Sequence, residues 1–440
     1  MTAVEATTQR HRGRQPIRNV LFLVAITVVV VSVVWGRRLQ TRHPEIKLGA
    51  APLVGAWRWR PGMGLVAAVI VAAVVIFSQR RLAKRSMGTV CAVSSVAGTA
   101  FALLLAAADG WSRVLAPVVD PTEYYDNLDV LLPARQMLKW FATRDYLVNY
   151  SVHLKGHPPG FILVLKMLHA VGLTHPWAVG ALSYLGVAMT CASVVYTVTL
   201  VAGDATARMV APFLALAPAA VWMGTSADAF YTGVFATGVA LAAHGSRRGG
   251  RGAAASLGAG VVIGASLFLS YGTAVLAPLV LLVIWAGNAS GIRRLLRLLL
   301  FVAGALVVVG AFRAFGFWWF DGLRTTKGLY WEGTAKFRPW AYFVVGDAGA
   351  LFLAIGPATV YGLTRMRIHD PWLLIGPALA GVAFAIASQY SKGEVERIWL
   401  VFMPWITVAT SALRPVHARR WLVAHAGTAV ILQAWLVSKW

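Results

Sequence analysis

Residues 120–129 are the part of the chain best equipped for chemistry, because four carboxylates fall within ten positions. The chain of 440 residues contains only 16 acids, so this density is exceptional within it. Carboxylates that lie close together raise one another's pKa or bind a cation. Either outcome suits a general base, alone or beside a divalent cation. The candidate residues are Asp120, Glu123, Asp126 and Asp129, with Tyr124 and Tyr125 between them.

The spacing of these acids predicts a shared surface. On an α-helix, Glu123, Asp126 and Asp129 would lie on one face, since residues three apart are neighbours across a turn. The alternative is that acids in an external loop are only solvated. We favour a functional site because carboxylates gathered at a membrane surface are costly and rarely without a role.

A basic, proline-stiffened corner follows at residues 155–160, with the sequence Lys-Gly-His-Pro-Pro-Gly. Consecutive prolines restrict the backbone, so they hold the His157 ring in a fixed position relative to the acids. Lys155 and His157 are therefore candidates to bind a phosphate group at the membrane surface. The alternative is that the prolines only begin a helix and that His157 caps it.

Residues 314–340 add two candidate cations, Arg324 and Lys327, among several tryptophans and tyrosines. Basic residues in an external loop depart from the usual charge bias of membrane proteins. An anionic lipid phosphate would explain the cations, and a sugar ring would suit the aromatic faces. An interfacial aromatic belt is the alternative.

Two further charged positions stand beside apolar segments. Arg397 lies in the polar segment 389–398 at the mouth of a predicted span, where it is a candidate phosphate ligand. Glu394 precedes it by one turn, so a structural ion pair between the two is the alternative. Asp228 begins another apolar segment, where it either caps a helix or adds to the external site.

The elements that must position these residues are membrane helices. Mean hydropathy is +0.68, and 58% of the residues are apolar. Apolar segments close to the length of a bilayer crossing predict an all-α polytopic membrane protein with about thirteen transmembrane helices. The predicted spans are residues 19–35, 63–77, 88–108, 177–201, 208–223, 228–244, 256–270, 273–287, 296–313, 341–363, 372–388, 399–413 and 421–437. No polar stretch is long enough to form a separate soluble domain, so residues 19–440 are predicted to be one transmembrane domain after a cytoplasmic tail at 1–18.

The net charge of +24 does not indicate a nucleic-acid partner, because the basic residues occur in short clusters between apolar segments. Such clusters are typical of cytoplasmic loops and of contact with anionic membrane lipid. The pattern predicts a multi-pass protein of the cell membrane with a cytoplasmic N-terminus. The segments 109–157, 314–340 and 389–398 are then external loops, with the active site on the external side.

Three segments need separate treatment. Residues 37–62 are basic, yet alternation of the spans places them outside. Residues 160–172 are apolar but too short to cross, so we interpret them as an interfacial or half-inserted helix after the proline corner. Residues 130–142 are predicted to form an amphipathic helix on the membrane surface.

With these motifs in hand, the chain resembles the GT-C glycosyltransferases, and in particular the polyprenol-phosphate-sugar-dependent branch related to protein O-mannosyltransferases and aminoarabinose transferases. Asp126 lies eight residues before Ala134-Arg135-Gln136-Met137, similar to the family's spacing from its acid to an Ala-Arg-like helix. The segment His157-Pro158-Pro159 looks like the family's proline corner. The resemblance is clearest over residues 109–290. Position 127 is Asn, so the family's adjacent Asp-Glu pair is missing, and Glu123, Asp126 and Asp129 all remain candidates for the base.

The resemblance implies a mechanism on the external face. An acid near Asp126 would deprotonate an acceptor hydroxyl, which attacks the anomeric carbon of a polyprenyl-phosphate sugar with inversion. The acceptor would be a glycan, a lipid or a protein. Cations would stabilise the departing phosphate. The implied phosphate ligands are Lys155, His157, Arg324, Lys327 and Arg397, with Tyr124, Tyr125, Asp228 and Glu394 as further residues of the site.

Three other classes of function stay open from the sequence. One is a transporter of lipid-linked sugar or polysaccharide, although the charges crowd one surface rather than the bilayer midplane. Another is a non-catalytic membrane protein of envelope assembly, which would have no need to keep several acids. The last is a ligase-type transferase that acts on a lipid-linked oligosaccharide.

Overall fold

The computed structural model describes residues 3–47, 55–82, 84–224, 226–247, 252–368 and 371–437, with side chains from Ile17 onward. The described chain is built almost entirely of helices. These are α1 Ala3–Arg42, α2 Met63–Leu82, α3 Met87–Ala106, α4 Ala134–Trp140, α5 Arg144–Leu147, α6 Val152–Gly156, α7 Gly160–Ala170, α8 Pro176–Ala202, α9 Asp204–Ala215, α10 Ala220–Met223, α11 Ala227–Arg247, α12 Gly252–Leu269, α13 Ala277–Trp285, α14 Gly291–Ala314, α15 Trp319–Glu332, α16 Trp340–Arg365, α17 Trp372–Ser388, α18 Val395–Ile398, α19 Met403–Thr407 and α20 Pro415–Trp435. Two short antiparallel strands, β1 Ala56–Trp57 and β2 Leu436–Val437, join the segment after α1 to the end of α20.

The helical, polytopic character predicted from the sequence is confirmed. Within the described residues, 7 helices are long and apolar enough to cross a membrane. They cover Ile17–Arg42, Met63–Leu82, Met87–Asp109, Pro176–Ala202, Gly252–Leu269, Gly291–Ala314 and Trp340–Arg365. The total of about thirteen spans stays a prediction, because the remaining apolar helices are shorter or less apolar.

Several predicted spans are not continuous α-helices, among them 341–363, in which the backbone at Gly356 is non-helical (φ 74°). In the segment 208–223, α9 ends at Ala215, and Pro218 separates it from α10. In the segment 399–413, α19 is five residues long and passes into a 3-10 helix. Pro404 lies in the first turn of α19, so its ring and missing N–H prevent a helix from continuing through this point from upstream.

Residues 120–129 do not form the predicted helix with one acidic face. They form turns, with a single turn of 3-10 helix at Tyr125–Asn127. Asp120 accepts a hydrogen bond from the Thr122 backbone N–H at 2.8 Å, a local bond that competes with helix formation. The predicted amphipathic helix at 130–142 is also shorter than expected. It is α4, which begins only after Pro133 because proline disfavours the helical backbone at the residue before it.

The helix that carries Asp228 is held by close packing. α8 and α11 lie so near each other that a Cβ atom added at Gly186 would be 2.2 Å from the carbonyl oxygen of Ala229. Close backbone approach of this kind requires residues without bulky side chains. Since Asp228 directly precedes Ala229, the contact fixes the start of α11 and the position of the Asp228 carboxylate.

The proline corner is anchored in the same way. A Cβ atom added at Gly160, the first residue of α7, would be 2.3 Å from the carbonyl oxygen of Phe268 in α12. Phe161, Ile162 and Leu165 of α7 are buried behind it. With 11 residues α7 is roughly 16 Å long, which is too short to cross a bilayer. Its predicted interfacial position remains a prediction.

Candidate functional site

A buried cluster of charged residues surrounds the guanidinium group of Arg397, whose residue is only 3% exposed. Its Nη1 donates a hydrogen bond of 2.6 Å to Glu123 Oε1. Its Nε lies 3.0 Å from Asp228 Oδ2, an ion pair in which the N–H is not aimed at the oxygen. Its Nη2 contacts Nδ1 of His153. The guanidinium therefore joins two carboxylates and an imidazole from three distant parts of the sequence.

His157 belongs to the same cluster. Its Nε2 lies 3.7 Å from Asp228 Oδ1, and its Nδ1 lies 2.9 Å from the backbone oxygen of His153. Because a backbone oxygen only accepts, Nδ1 is the ring nitrogen that donates in this contact. Asp228 also accepts a hydrogen bond of 3.1 Å from the hydroxyl of Ser226.

Two tyrosines close one side of the cluster. The hydroxyl of Tyr231 donates to that of Tyr124 at 3.1 Å, and the Tyr124 hydroxyl donates to the His153 backbone oxygen at 3.2 Å. Both side chains are buried. Burial raises the pKa of Tyr124 well above its ordinary value, so the phenol stays a neutral donor.

Local structure explains how distant segments converge. Glu123 follows the Asp120 turn, and the Thr122 backbone oxygen accepts a hydrogen bond of 3.3 Å from the His153 N–H. α6, which carries His153, is capped by the Ser151 side chain. These backbone contacts dock the acidic turn directly on the segment that leads to the proline corner.

Arg397 is presented by an unusual backbone segment. Gly393 and Glu394 precede α18 with φ values of 81° and 60°, in the left-handed region. The Gly393 N–H donates a hydrogen bond of 3.0 Å to Asp347 Oδ1 of α16, which ties this tight turn to the helix bundle. The turn aims the next helical turn, and with it Arg397, into the protein.

Burial and charge act in opposite directions within the cluster. Burial raises the pKa of Glu123, and the charge of Arg397 only partly opposes this. Burial alone would lower the pKa of Arg397, but Glu123 and Asp228 outweigh it and raise the pKa above its ordinary value. The arginine is therefore always charged, whereas Glu123 accepts a proton more readily than an exposed glutamate.

Glu396, next to Arg397, was not among the residues predicted from the sequence. It is fully buried, and in the part of the chain that the structure describes neither carboxylate oxygen accepts a hydrogen bond from another residue. Burial raises its pKa to about 8. The glutamate is therefore mostly protonated at neutral pH.

The predicted acids are placed differently from one another. Glu123 lies in the cluster, whereas Asp126 and Asp129 are exposed and lie outside it. Asp120 is half-buried, and its carboxylate accepts hydrogen bonds from Thr122 instead. The four acids are separated because residues 120–129 form turns instead of one helical face.

Some of the predicted cations lie in the cluster and others lie outside it. Arg397 and His157 lie in the cluster, but Lys155 is directed to the Val148 backbone oxygen at 3.4 Å. Arg324 is an exposed side chain that pairs with Asp321 at 3.1 Å. Lys327 is exposed and lies 5.0 Å from the ring of Tyr390. Helix α15 places both of these cations on its outer surface.

Of the remaining predicted residues, Tyr124 and Asp228 lie in the cluster. Tyr125 donates to the Thr174 backbone oxygen at 2.6 Å and lies outside it. The suggested ion pair of Glu394 with Arg397 is wrong, because Glu394 lies 3.6 Å from Arg338 instead. The left-handed backbone at Glu394 turns its side chain away from α18.

Sequence reasoning missed His153 and Tyr231 as well as Glu396. His153 offered one signal, since it precedes His157 by four residues in the same basic segment. Tyr231 offered a similar one, because it lies three residues after Asp228 and therefore on the same face of α11. Neither signal stands out in a chain that contains ten histidines and twelve tyrosines.

In the part of the chain that the structure describes, no three His, Cys, Asp or Glu side chains are gathered so as to hold a metal ion. The expectation of a divalent cation at the acids therefore rests on the sequence alone. An apolar cavity is lined by Ala220, Met223, Leu400 and Met403 among others, and Glu123, Asp228 and Arg397 are not among its lining residues.

Comparisons with known proteins do not assign the chain to a family. No protein-family model matches the chain, and no curated protein matches it.

Proposed function

We propose that the chain is a membrane glycosyltransferase that moves a sugar from a polyprenyl-phosphate donor to an acceptor hydroxyl. One observation carries the proposal: two carboxylates, an arginine and two histidines from distant segments share a buried cluster at one end of the helix bundle. A base beside a cation is what transfer from a phosphate leaving group requires. The family resemblance and the many apolar helices agree with a lipid-linked donor.

We assign the general base to Glu123 rather than to Asp126. Burial raises the pKa of Glu123, which improves a carboxylate as a proton acceptor near neutral pH. In the reaction the acceptor oxygen bonds to the anomeric carbon while its proton passes to Glu123. The bond between that carbon and the phosphate oxygen breaks, and its electron pair leaves with the phosphate.

Arg397 and His157 then bind the departing phosphate, and Asp228 positions both of them. The guanidinium of Arg397 is occupied by carboxylates in the present arrangement. A donor phosphate provides the same kind of acceptor oxygens, so it would replace Glu123 at Nη1 and release that carboxylate to act as base. Donor binding and base activation are thereby coupled through one side chain.

The test is transfer by the purified protein from a panel of labelled polyprenyl-phosphate pentoses and hexoses to envelope glycans. Glu123→Gln should lower the rate by about 100-fold or more, the usual contribution of a general base. Asp126→Asn should leave it within about two-fold, because that carboxylate is exposed and remote from the cluster. A folded Glu123→Gln protein with full activity, or loss of activity in Asp126→Asn alone, would remove Glu123 as base.

A second function, a non-catalytic membrane protein of envelope assembly, is favoured by one feature. The charges of the cluster largely compensate one another and are buried, as in a structural ion network. Such a protein would show no transfer with any donor, and Glu123→Gln would change only its stability. A transporter would instead move the labelled lipid-linked sugar across proteoliposomes without any acceptor.

A further inference from the structure

A second charged site lies where α16 ends and α20 begins. There a cavity of about 440 Å³ is lined by Arg365, Arg414, Arg420 and His417, together with Tyr361 and Trp421. This volume is within the range of small-ligand sites. Among the described residues that line it there is no acid.

The cavity is separate from the Arg397 cluster. α16 contacts the cluster's segment through Asp347 in its first half, whereas Arg365 is its last residue. Arg365 follows Asp347 by 18 residues (347 to 365), and the backbone between them is non-helical at Gly356 (φ 74°). No residue of the Arg397 cluster lines the cavity, so the cavity has no role in the proposed transfer reaction.

In the part of the chain that the structure describes, none of Arg365, Arg414 and Arg420 forms an ion pair with a carboxylate. The Nε of Arg365 is buried and has no hydrogen-bond partner among those same residues. A buried donor on a charged group that stays unsatisfied is costly, so a missing acceptor is indicated at this position.

Aromatic rings make the wall of this cavity rigid. Tyr361 and Trp421 are stacked with centroids 4.4 Å apart at 19°. Phe22 of α1 packs edge-on against both, at 5.6 and 5.7 Å. The Arg365 guanidinium lies 5.8 Å from the Tyr361 ring centroid, which restrains it beside the aromatic wall. Arg365 is thus held against packed helices, whereas Arg414, His417 and Arg420 form the exposed side of the cavity.

We propose that this cavity binds a phosphate group, either the headgroup of an anionic phospholipid or a small soluble phosphate compound. Guanidinium groups match phosphate oxygens with paired hydrogen bonds, and three of them line this cavity with no carboxylate paired to them among the described residues. The apolar face of the aromatic pair suits the glycerol or ring portion that a phosphate carries. The proposal does not depend on the proposed glycosyl transfer.

The test is native mass spectrometry of the purified full-length protein with phosphatidylglycerol, with phosphatidylcholine and with glycerol phosphate as competitor. Phosphatidylglycerol should bind the parent protein at least about ten-fold more tightly than the double variant Arg365→Gln/Arg420→Gln. The control is Arg419→Gln, which removes one charge from the helix that carries Arg420. Arg419 lies over Phe77 at 4.4 Å instead of lining the cavity, so this control should bind normally.

Each outcome of the test either distinguishes a lipid headgroup from a soluble phosphate compound or rejects the site. Retention of phosphatidylglycerol against millimolar glycerol phosphate identifies a lipid ligand, and its displacement identifies a soluble phosphate. Arg365→Lys, which keeps a charge and spares the fold, should retain most of the binding. The proposal is overturned if Arg419→Gln loses as much affinity as the double variant, or if phosphatidylcholine binds as tightly as phosphatidylglycerol.

Discussion

At the scale of single residues, Arg397 decides whether the cluster is stable. Removing charges from water is expensive, and the attraction between buried opposite charges repays it only when each partner is present. Glu123, Asp228 and His153 each contact the guanidinium of Arg397. Its loss would leave two carboxylates buried beside each other.

Arg397→Gln should therefore lower the free energy of unfolding by about 3–5 kcal/mol, the usual cost of breaking a buried ion pair on one side. Unfolding titrated with dodecyl sulfate in mixed micelles measures this difference. Arg324→Gln is the control, because its side chain is 80% exposed and should change stability by less than about 0.5 kcal/mol. Equal stability of the two variants would contradict a central role for Arg397.

For Glu396 we expect the opposite effect on stability, because burial of its ionised carboxylate destabilises the folded protein. Its pKa rises from an ordinary 4.5 to about 8 in the folded protein, because burial disfavours the charged form. Its contribution to stability is therefore fully present below pH 4.5, and it is lost as the pH rises from 4.5 to about 8, while the unfolded chain ionises first.

Glu396→Gln removes this ionisation while keeping the shape of the side chain. Relative to the parent, the variant should gain roughly 1.4 kcal/mol per pH unit over that interval. Unfolding titrations at pH 5 and pH 8 compare the two proteins. A stability difference that is the same at both pH values would show that Glu396 is not the titrating group.

At the scale of elements, two close contacts between helices position the residues of the Arg397 cluster. Gly186 lets α8 approach the start of α11, where Asp228 lies, and Gly160 seats the proline corner on α12. Neither contact involves a charged residue. The geometry of the cluster thus depends on small residues outside it.

Gly186→Ala should destabilise the protein and reduce any activity of the cluster, because the added Cβ lies 2.2 Å from the Ala229 oxygen and must push α11 away. The cost should be about 1–3 kcal/mol, as for other overpacked sites. Gly310→Ala in α14 is the matched control, since a Cβ there meets no atom within 4 Å. Unfolding titrated with dodecyl sulfate in mixed micelles gives the free energy of unfolding of both variants. Equal values would argue against the close contact.

Sequence patterns predicted the long apolar helices but not the contacts within the charged cluster, and both results have physical reasons. Apolar length predicted helices such as α8 and α16, because bilayer thickness fixes how long an apolar segment must be. The sequence pattern could not show that Glu123, and not Asp126, is buried in the cluster. The turn that begins at Asp120 determines which of the two carboxylates faces inward. The pairing of Glu123 with Arg397 was equally hidden, because 274 residues separate them and no periodic pattern reports such a contact.

At the scale of the whole molecule, burial sorts the apolar helices into central and peripheral ones. In α16 the most apolar window is 67% buried inside the protein, whereas in α1 and α14 the corresponding share is 11%. Helices that are apolar all round but poorly buried need lipid to cover them. The segment before Arg397 is tied to the first half of α16, and the basic cavity is lined by the last residue of α16, so the two parts of α16 border different kinds of site.

Orientation in the membrane supplies the last prediction. The basic clusters predict that the Arg365 end of α16 faces the cytoplasm and that the Arg397 cluster lies on the external side. Val130 is 68% exposed and Ile368 is 91% exposed, so cysteines at these positions should be freely accessible to reagents on their own side. In intact cells an impermeant maleimide should label Val130→Cys but not Ile368→Cys, in a background where Cys91 and Cys191 are replaced by alanine. Permeabilised cells, in which both positions should react, provide the control. The reverse pattern would place the cluster in the cytoplasm and rule out transfer on the external face, because the carboxylates and Arg397 would then meet only cytoplasmic donors.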